Sequence, residues 1–351
     1  MSLQTLELDN LRCIERAELE LHPRLNLVTG PNGSGKTSLL EAVHLLGRGR
    51  SFRTRLTERL VRFGSDWLNV VGRVEDPLVG TVGVHFHRET GLRARMAGRD
   101  VRSLGELSVA LPVMILDPGI HRLVEEGPSY RRRWLDWGVF HVEPAFAAAW
   151  ASYTQSLRQR NAALRQGADP TAWEPELARA GELITECRRR TLEQLEAHWV
   201  PVAQRLLGLP ISLTFYRGWS SERSLAQGLE LGRARDVETG GTGTGPHRFD
   251  VWLRIEGRAA REVLSRGQQK LLGACMALAI TRLVTGIRGK PPVLLLDDPA
   301  AELDATRTQL LIEEIRATSG QLLVTALHAE DLRFGTPERT FHVEQGRVTT
   351  L

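Results

Sequence analysis

The chain predicts an α/β fold built on a parallel sheet, and three observations predict it. The first is Gly30-Pro31-Asn32-Gly33-Ser34-Gly35-Lys36-Thr37, which fits the pattern G-x-x-x-x-G-K-[ST]. An apolar run, Leu25-Asn26-Leu27-Val28-Thr29, precedes it, and a helical run from Ser38 to Leu46 follows, which is the strand, loop and helix that the pattern requires. The second is a late apolar strand closed by two carboxylates, Val293-Leu294-Leu295-Leu296-Asp297-Asp298. The third is the alternation of the terminal third: helix from Gln268 to Ile287, strand Val293 to Leu296, helix Ala305 to Ala317, strand Gln321 to Thr325.

In chain order, Leu3 to Leu8 and Ala17 to Leu21 alternate as half-buried strands around a turn at Asp9-Asn10. Residues 68 to 96 form a second β region, with Asn69 to Val74 and Gly80 to His87 separated by Pro77. From Tyr130 to Leu207 the chain turns helical and is broken once, at Gly167-Ala168-Asp169-Pro170. The result is a helical hairpin whose longer arm, Trp173 to Leu207, reaches about 50 Å at 1.5 Å per residue. Such an arm serves as a lid or short arm and is no long coiled coil. After Pro210 the chain returns to β at Ile211 to Tyr216, crosses a polar linker from Thr239 to Gly245, and continues as Phe249 to Ile255.

The two motifs must meet at one ligand, so the head is discontinuous. Residues 1–125 and 245–351 build it, and 126–244 form the inserted, mainly helical arm.

Composition supports the first motif. Of 46 basic residues only three are lysine, Lys36, Lys270 and Lys290. A compact ammonium fits a nest of backbone amides where a planar guanidinium does not. In 351 residues there is room for one large or two modest cores, and 42% hydrophobic with 25% charged residues is a globular composition. A net charge of +4 permits a nucleic-acid partner without demanding one. Cys13, Cys187 and Cys275 lack any C-x-x-C spacing, which reads as reduced thiols in a cytoplasmic protein with no zinc site. The longest apolar run, Leu271 to Ile280, is about half of a membrane span.

The chemistry follows from the motifs. Gly30, Pro31, Asn32, Gly33, Ser34, Gly35, Lys36, Thr37 and Ser38 are expected to cradle the phosphates of ATP, with Lys36 reaching the terminal ones. Thr37 and Asp297 are expected to hold Mg²⁺, and Asp298 to orient or deprotonate the attacking water. Ser265, Arg266, Gly267 and Gln268 open a long apolar helix, whose N-terminal amides suit a phosphate brought by another copy of the chain.

Phosphate loop, Ser-x-Gly-Gln segment, Asp-Asp strand end and Ala301-Glu302-Leu303-Asp304 together resemble the ATP-binding-cassette head of transporters, chromosome-maintenance ATPases and recombination ATPases. Across nearly its whole length the chain resembles the bacterial RecF family. The resemblance is carried by Leu8 to Arg12, Gly49 to Thr54, Glu126 to Asp136, Tyr153 with Leu157 to Leu164, Thr244 to Arg248, Leu264 to Leu272 and Leu295 to Asp304. It implies an ATP-dependent homodimer that sandwiches nucleotide, with Lys36 and Thr37 of one subunit meeting Ser265 and Gly267 of the other. It further implies binding to double-stranded and gapped DNA and, with RecO and RecR, loading of RecA, replication-fork recovery and SOS induction. ATP hydrolysis, weak and DNA-stimulated, would act as a switch.

Cassette ATPases often place a histidine after the last core strand, whereas the matching position here is Ala326, with His328 two residues on. Asp298 stands where glutamate is common, and both departures imply slow turnover. Phe249 replaces an acidic residue common after Gly-Pro-His-Arg and is given no role. Two arginine clusters are candidates for DNA phosphates: Arg48, Arg50, Arg53 and Arg55, and Arg131, Arg132 and Arg133. The alternative is a cassette-type ATPase acting on a partner other than DNA. A transporter subunit keeps its signature roughly a hundred residues after the phosphate loop, whereas Lys36 and Ser265 stand 229 positions apart. In a phosphate-loop kinase the Ser265 helix start would be idle.

Overall fold

The computed structural model describes residues 2–299, 303–318, 320–328 and 334–351. Ala301 and Glu302 of the segment that follows Asp298 lie outside them. Two compact units are present, Met1–Ile120 with Val284–Leu351, and His121–Leu283.

Among the described residues the first unit holds two sheets. One has six strands in the order Arg347–Thr350, Arg339–Glu344, Leu25–Thr29, Leu322–Ala326, Val293–Asp297 and Val113–Leu116. All neighbours are parallel except the Arg347–Thr350 pair at one edge. Leu25–Thr29, Val293–Asp297 and Leu322–Ala326 are buried at every position, so they read as continuous apolar runs instead of alternating ones. The other sheet is antiparallel, in the order Ile14–Glu20, Leu3–Leu11, Trp67–Val74, Thr81–His87, Gly91–Met96 and Arg99–Asp100. The helix Lys36–Arg48 joins them: its Leu39, Leu40, Val43 and Leu46 share one core with Leu6 and Leu8 of the antiparallel sheet and Val28, Leu295 and Leu323 of the parallel one.

The first hairpin turns at Arg12 and Cys13, not at Asp9-Asn10. Asn10 takes the left-handed conformation (φ 54°) inside the strand, and its carbonyl accepts from Arg62 N–H at 2.8 Å. Pairing therefore continues to Leu11 and Ile14.

The second unit carries the helices Pro128–Val142, Phe146–Gln166 and Glu174–Leu207, the last two flanking the expected break. It also contains a helix absent from the sequence reading, Leu225–Thr239, opened by a capping box in which Ser224 and Gln227 satisfy each other's backbone amides. A three-stranded sheet, Arg258–Ala259, Asp250–Ile255 and Ser212–Tyr216, completes it. Residues 245–283, read from sequence with the head, pack here because the helix Arg266–Arg288 meets the arm: Trp134 Nε1 donates to Met276 O at 2.8 Å, and a side chain added to Gly138 would strike Ile280 at 2.3 Å. By length and composition that helix could cross a membrane, well beyond the short run read from sequence, but 78% of its apolar window is buried within the protein, as in a core helix.

Buried charge fixes the arm. Arg160, fully buried, donates to Glu174 Oε1 at 2.9 Å, Asp236 Oδ2 at 2.8 Å and Thr242 Oγ1 at 2.7 Å. Arg188, also fully buried, pairs in two places with Asp136 and donates to Pro246 O. Beside them Tyr153 Oη and His247 Nδ1 lie 2.6 Å apart, and burial lowers the histidine's affinity for a proton.

Candidate nucleotide-binding site

Parallel register brings the two motifs together. Val28, Thr325 and Asp297 are aligned across three adjacent strands, so the loop after Thr29 and the carboxylate of Asp297 emerge on the same edge of the sheet. Strands lie roughly 4.8 Å apart, and the two motifs are separated by a single strand.

The loop is shaped for close backbone approach. Gly30 has φ 142°, and a Cβ there would lie 2.1 Å from Val343 O. Gly35 has φ 120° and caps the helix Lys36–Arg48, and a Cβ on it would meet Cys13 Sγ at 2.9 Å. Other residues at these positions would distort the loop. Lys36 is buried, and its ammonium donates to Gly30 O at 2.5 Å and Pro31 O at 3.1 Å. Ser34 Oγ is buried and has no hydrogen-bond partner among the described residues. A buried, unsatisfied hydroxyl inside a ring of glycines and lysine is accounted for by an anionic ligand.

Thr37 Oγ1 lies 3.1 Å from both carboxylate oxygens of Asp297. Thr325 Oγ1 donates to Asp297 Oδ1 at 2.8 Å and accepts from Asp298 N–H at 3.0 Å. One hydroxyl thus holds the buried carboxylate and the backbone turn after it. At that turn Asp298 takes φ 44°, a conformation few side chains adopt outside functional sites and turns. Both carboxylates are thereby set at the strand end, and Asp298 lines a cavity of about 470 Å³ with Pro31, Asn32, Gly33, Lys36 and Thr37. Among the described residues no cluster of three or more His, Cys, Asp or Glu could hold a metal unaided. One carboxylate and one hydroxyl suit Mg²⁺ that takes its remaining ligands from phosphates and water, so these residues fit a Mg²⁺-nucleotide.

Three arginines, Arg12, Arg53 and Arg59, also line the cavity, and the sequence reading gave none of them a nucleotide role. Glu41, fully buried in the helix after the loop, pairs with Arg12 through two contacts of 2.9 Å and accepts from Ser51 Oγ at 2.5 Å. His44, one turn on, lies 2.7 Å from Arg50 O through Nδ1, and burial pushes its imidazole down to about 3, so it stays neutral and donates. The segment carrying Arg53 is therefore pinned to the phosphate-loop helix at two points. Arg53, read as a DNA contact, faces the nucleotide cavity with Glu41 at 3.9 Å, and Arg50 is exposed.

Other sequence candidates are engaged elsewhere. Arg131 pairs in two places with Asp250, at 2.8 and 3.1 Å, and also donates to Leu123 O and Glu126 O. Arg132 donates to Phe249 O at 2.6 Å, and Arg133 stacks over Tyr130 at 4.4 Å. These bonds hold the arm together and engage all three nitrogens of Arg131 but only Nη1 of Arg132. Phe249 is a buried platform for the Arg188 guanidinium at 4.7 Å. Ser265 caps the helix Arg266–Arg288 from the second unit: its hydroxyl accepts from Gln268 N–H at 3.4 Å, and Gln268 Oε1 accepts from Ser265 N–H at 3.0 Å. Ala326 is buried at its strand end and His328 is exposed.

Residues 2–349 match the family described as the RecF/RecN/SMC N terminal domain. The chain is 37% identical over 359 residues to the DNA replication and repair protein RecF of Shewanella denitrificans, with all of both chains covered. It is 41% identical over 364 residues to the RecF of Xanthomonas axonopodis pv. citri, covering 99% of this chain and 98% of that one. A solved structure of the recombination mediator protein RecF with ATP, from the RecFOR pathway, superposes with a TM-score of 0.89 at 25% identity, covering 99% of this chain and 97% of that one. With a cassette-type head, a phosphate loop and its partner aspartates in register, and full-length identity near 40%, this chain belongs to the RecF family of DNA replication and repair proteins.

Proposed function

We propose that the protein is an ATP-gated DNA clamp of recombinational repair. ATP and Mg²⁺ bind at Gly30 to Ser38, with Thr37 and Asp297 holding the ion and Lys36 the terminal phosphates. Mg²⁺ in such a site neutralises developing charge on the phosphates. Asp298 orients the attacking water. Ser265, Arg266, Gly267 and Gln268 of a second copy close the site, so that nucleotide makes the dimer. The dimer grips duplex DNA next to single-strand gaps and, with RecR and RecO, promotes RecA loading, fork recovery and SOS induction in the cytoplasm. Slow hydrolysis then resets it.

One observation carries this reading: the Thr37, Asp297 and Thr325 hydrogen bonds that join phosphate loop and Asp-Asp strand at one cavity. Anisotropy of a labelled gapped duplex, with and without ATP-Mg²⁺, tests it. Binding should require ATP, and Lys36→Met should abolish both it and calorimetric ATP binding. Tight ATP binding by that variant refutes the site, and a parent that binds ATP but has no DNA affinity favours a protein partner instead.

A further inference from the structure

The sheet of the second unit carries an outward face that the nucleotide chemistry does not use. Along Asp250–Ile255, Val251, Leu253 and Ile255 are buried while Trp252 and Arg254 point outward. The neighbouring strand Ser212–Tyr216 pairs with it so that Thr214 faces Trp252 and Ser212 faces Arg254. Tyr216 and Trp252 are 40% and 42% exposed, and their rings lie parallel within 4° at 6.1 Å. The Arg254 guanidinium lies 5.4 Å from the Trp252 ring. A groove of about 200 Å³ adjoins the strip, with Trp252, Arg254, Arg131, Asp250 and Arg261 among its walls.

The groove is net positive. Asp250 is already neutralised by Arg131, and among the described residues Arg254 donates to the Gly257 carbonyl and Arg261 pairs with Glu262 at 4.0 Å. The outward positions beside the rings on the neighbouring strand, Ser212 and Thr214, are polar, unlike the apolar centre of a protein interface. Exposed parallel aromatic rings flanked by arginine suit flat, unpaired bases on a polyanionic chain. A duplex hides those faces in its own stack.

We propose that this face is a stacking platform for single-stranded DNA: Trp252 and Tyr216 take unpaired bases, and Arg254 and Arg261 take the adjoining phosphates. The choice of DNA over RNA rests on the function proposed above; the stacking chemistry does not. Anisotropy with labelled oligothymidine, and separately with a blunt duplex in ATP-Mg²⁺, tests it on the full chain. Trp252→Leu should weaken oligothymidine binding about tenfold while Trp252→Phe, which keeps an aromatic face, stays near the parent. Arg254→Ala with Arg261→Ala should weaken it further and flatten its salt dependence. Duplex affinity should not move. Should Trp252→Leu lose its cooperative unfolding transition, Tyr216→Ala carries the same expectation. A parent that does not bind oligothymidine, or a Trp252→Leu that binds it as the parent does, overturns the proposal. Trp252-dependent oligothymidine binding without ATP-dependent duplex binding upholds the platform and removes the clamp; the reverse pattern does the opposite.

Discussion

At the scale of single residues, the two aspartates are adjacent in sequence and unlike in circumstance. Asp297 is buried and held by the hydroxyls of Thr37 and Thr325, which suits a fixed cation ligand. Asp298 is turned by its left-handed backbone to the cavity wall, which suits a group that handles water. Asparagine tolerates that conformation nearly as well as aspartate, so Asp298→Asn tests the carboxylate without disturbing the turn. Calorimetric ATP affinity should equal the parent's, while phosphate release falls by about a hundredfold, the low end for loss of a general base. Parental turnover would remove Asp298 from the mechanism. Both aspartates and Lys36 were legible because motif and spacing name them. Thr325 was not, because no motif names it: its hydrogen bonds exist only through the register that aligns it with Val28 and Asp297.

Among the elements, the arm shows why arginine was hard to read. With 46 basic residues and three lysines, a buried arginine looks the same in sequence as a solvated one. Arg131, Arg132, Arg160 and Arg188 are separated from surface arginines only by where the helices carry them. Arg160 joins three elements through Glu174, Asp236 and Thr242. Removing it leaves the buried Asp236 without its cation, while Glu174 keeps Arg233 at 2.7 Å, so Arg160→Ala should cost about 3 kcal/mol in urea unfolding of the chain. Arg160→Met, which restores volume but not charge, should recover little of that, since the uncompensated Asp236 carboxylate dominates. A loss under about 1 kcal/mol would mean that water reaches the site. The helices themselves were largely legible: long amphipathic runs and the Gly167 to Pro170 break gave them. Leu225–Thr239 escaped although Ser224 and Gln227 spell its capping box, because the glycines that follow read as a linker.

For the whole molecule, the question is what closes the nucleotide cavity. The Ser265 hydroxyl accepts from Gln268 N–H, so its own proton is available to donate, and the start of the Arg266–Arg288 helix adds amides and a positive dipole end. Ser265 is exposed, so its substitution disturbs no core. Arginine there loses the cap, at about 1 kcal/mol, and puts a bulky side chain where a phosphate would dock. If the segment acts on a second copy's nucleotide, Ser265→Arg keeps the parental ATP affinity and stays at the 39.1 kDa monomer mass by light scattering in ATP-Mg²⁺, while the parent doubles. Lys36→Met should also stay monomeric, but for want of nucleotide. The pair of variants thus separates binding from closure: a Ser265→Arg dimer would show that the helix start is an ordinary cap, and lost ATP affinity in that variant would place the segment at its own chain's nucleotide instead of a partner's.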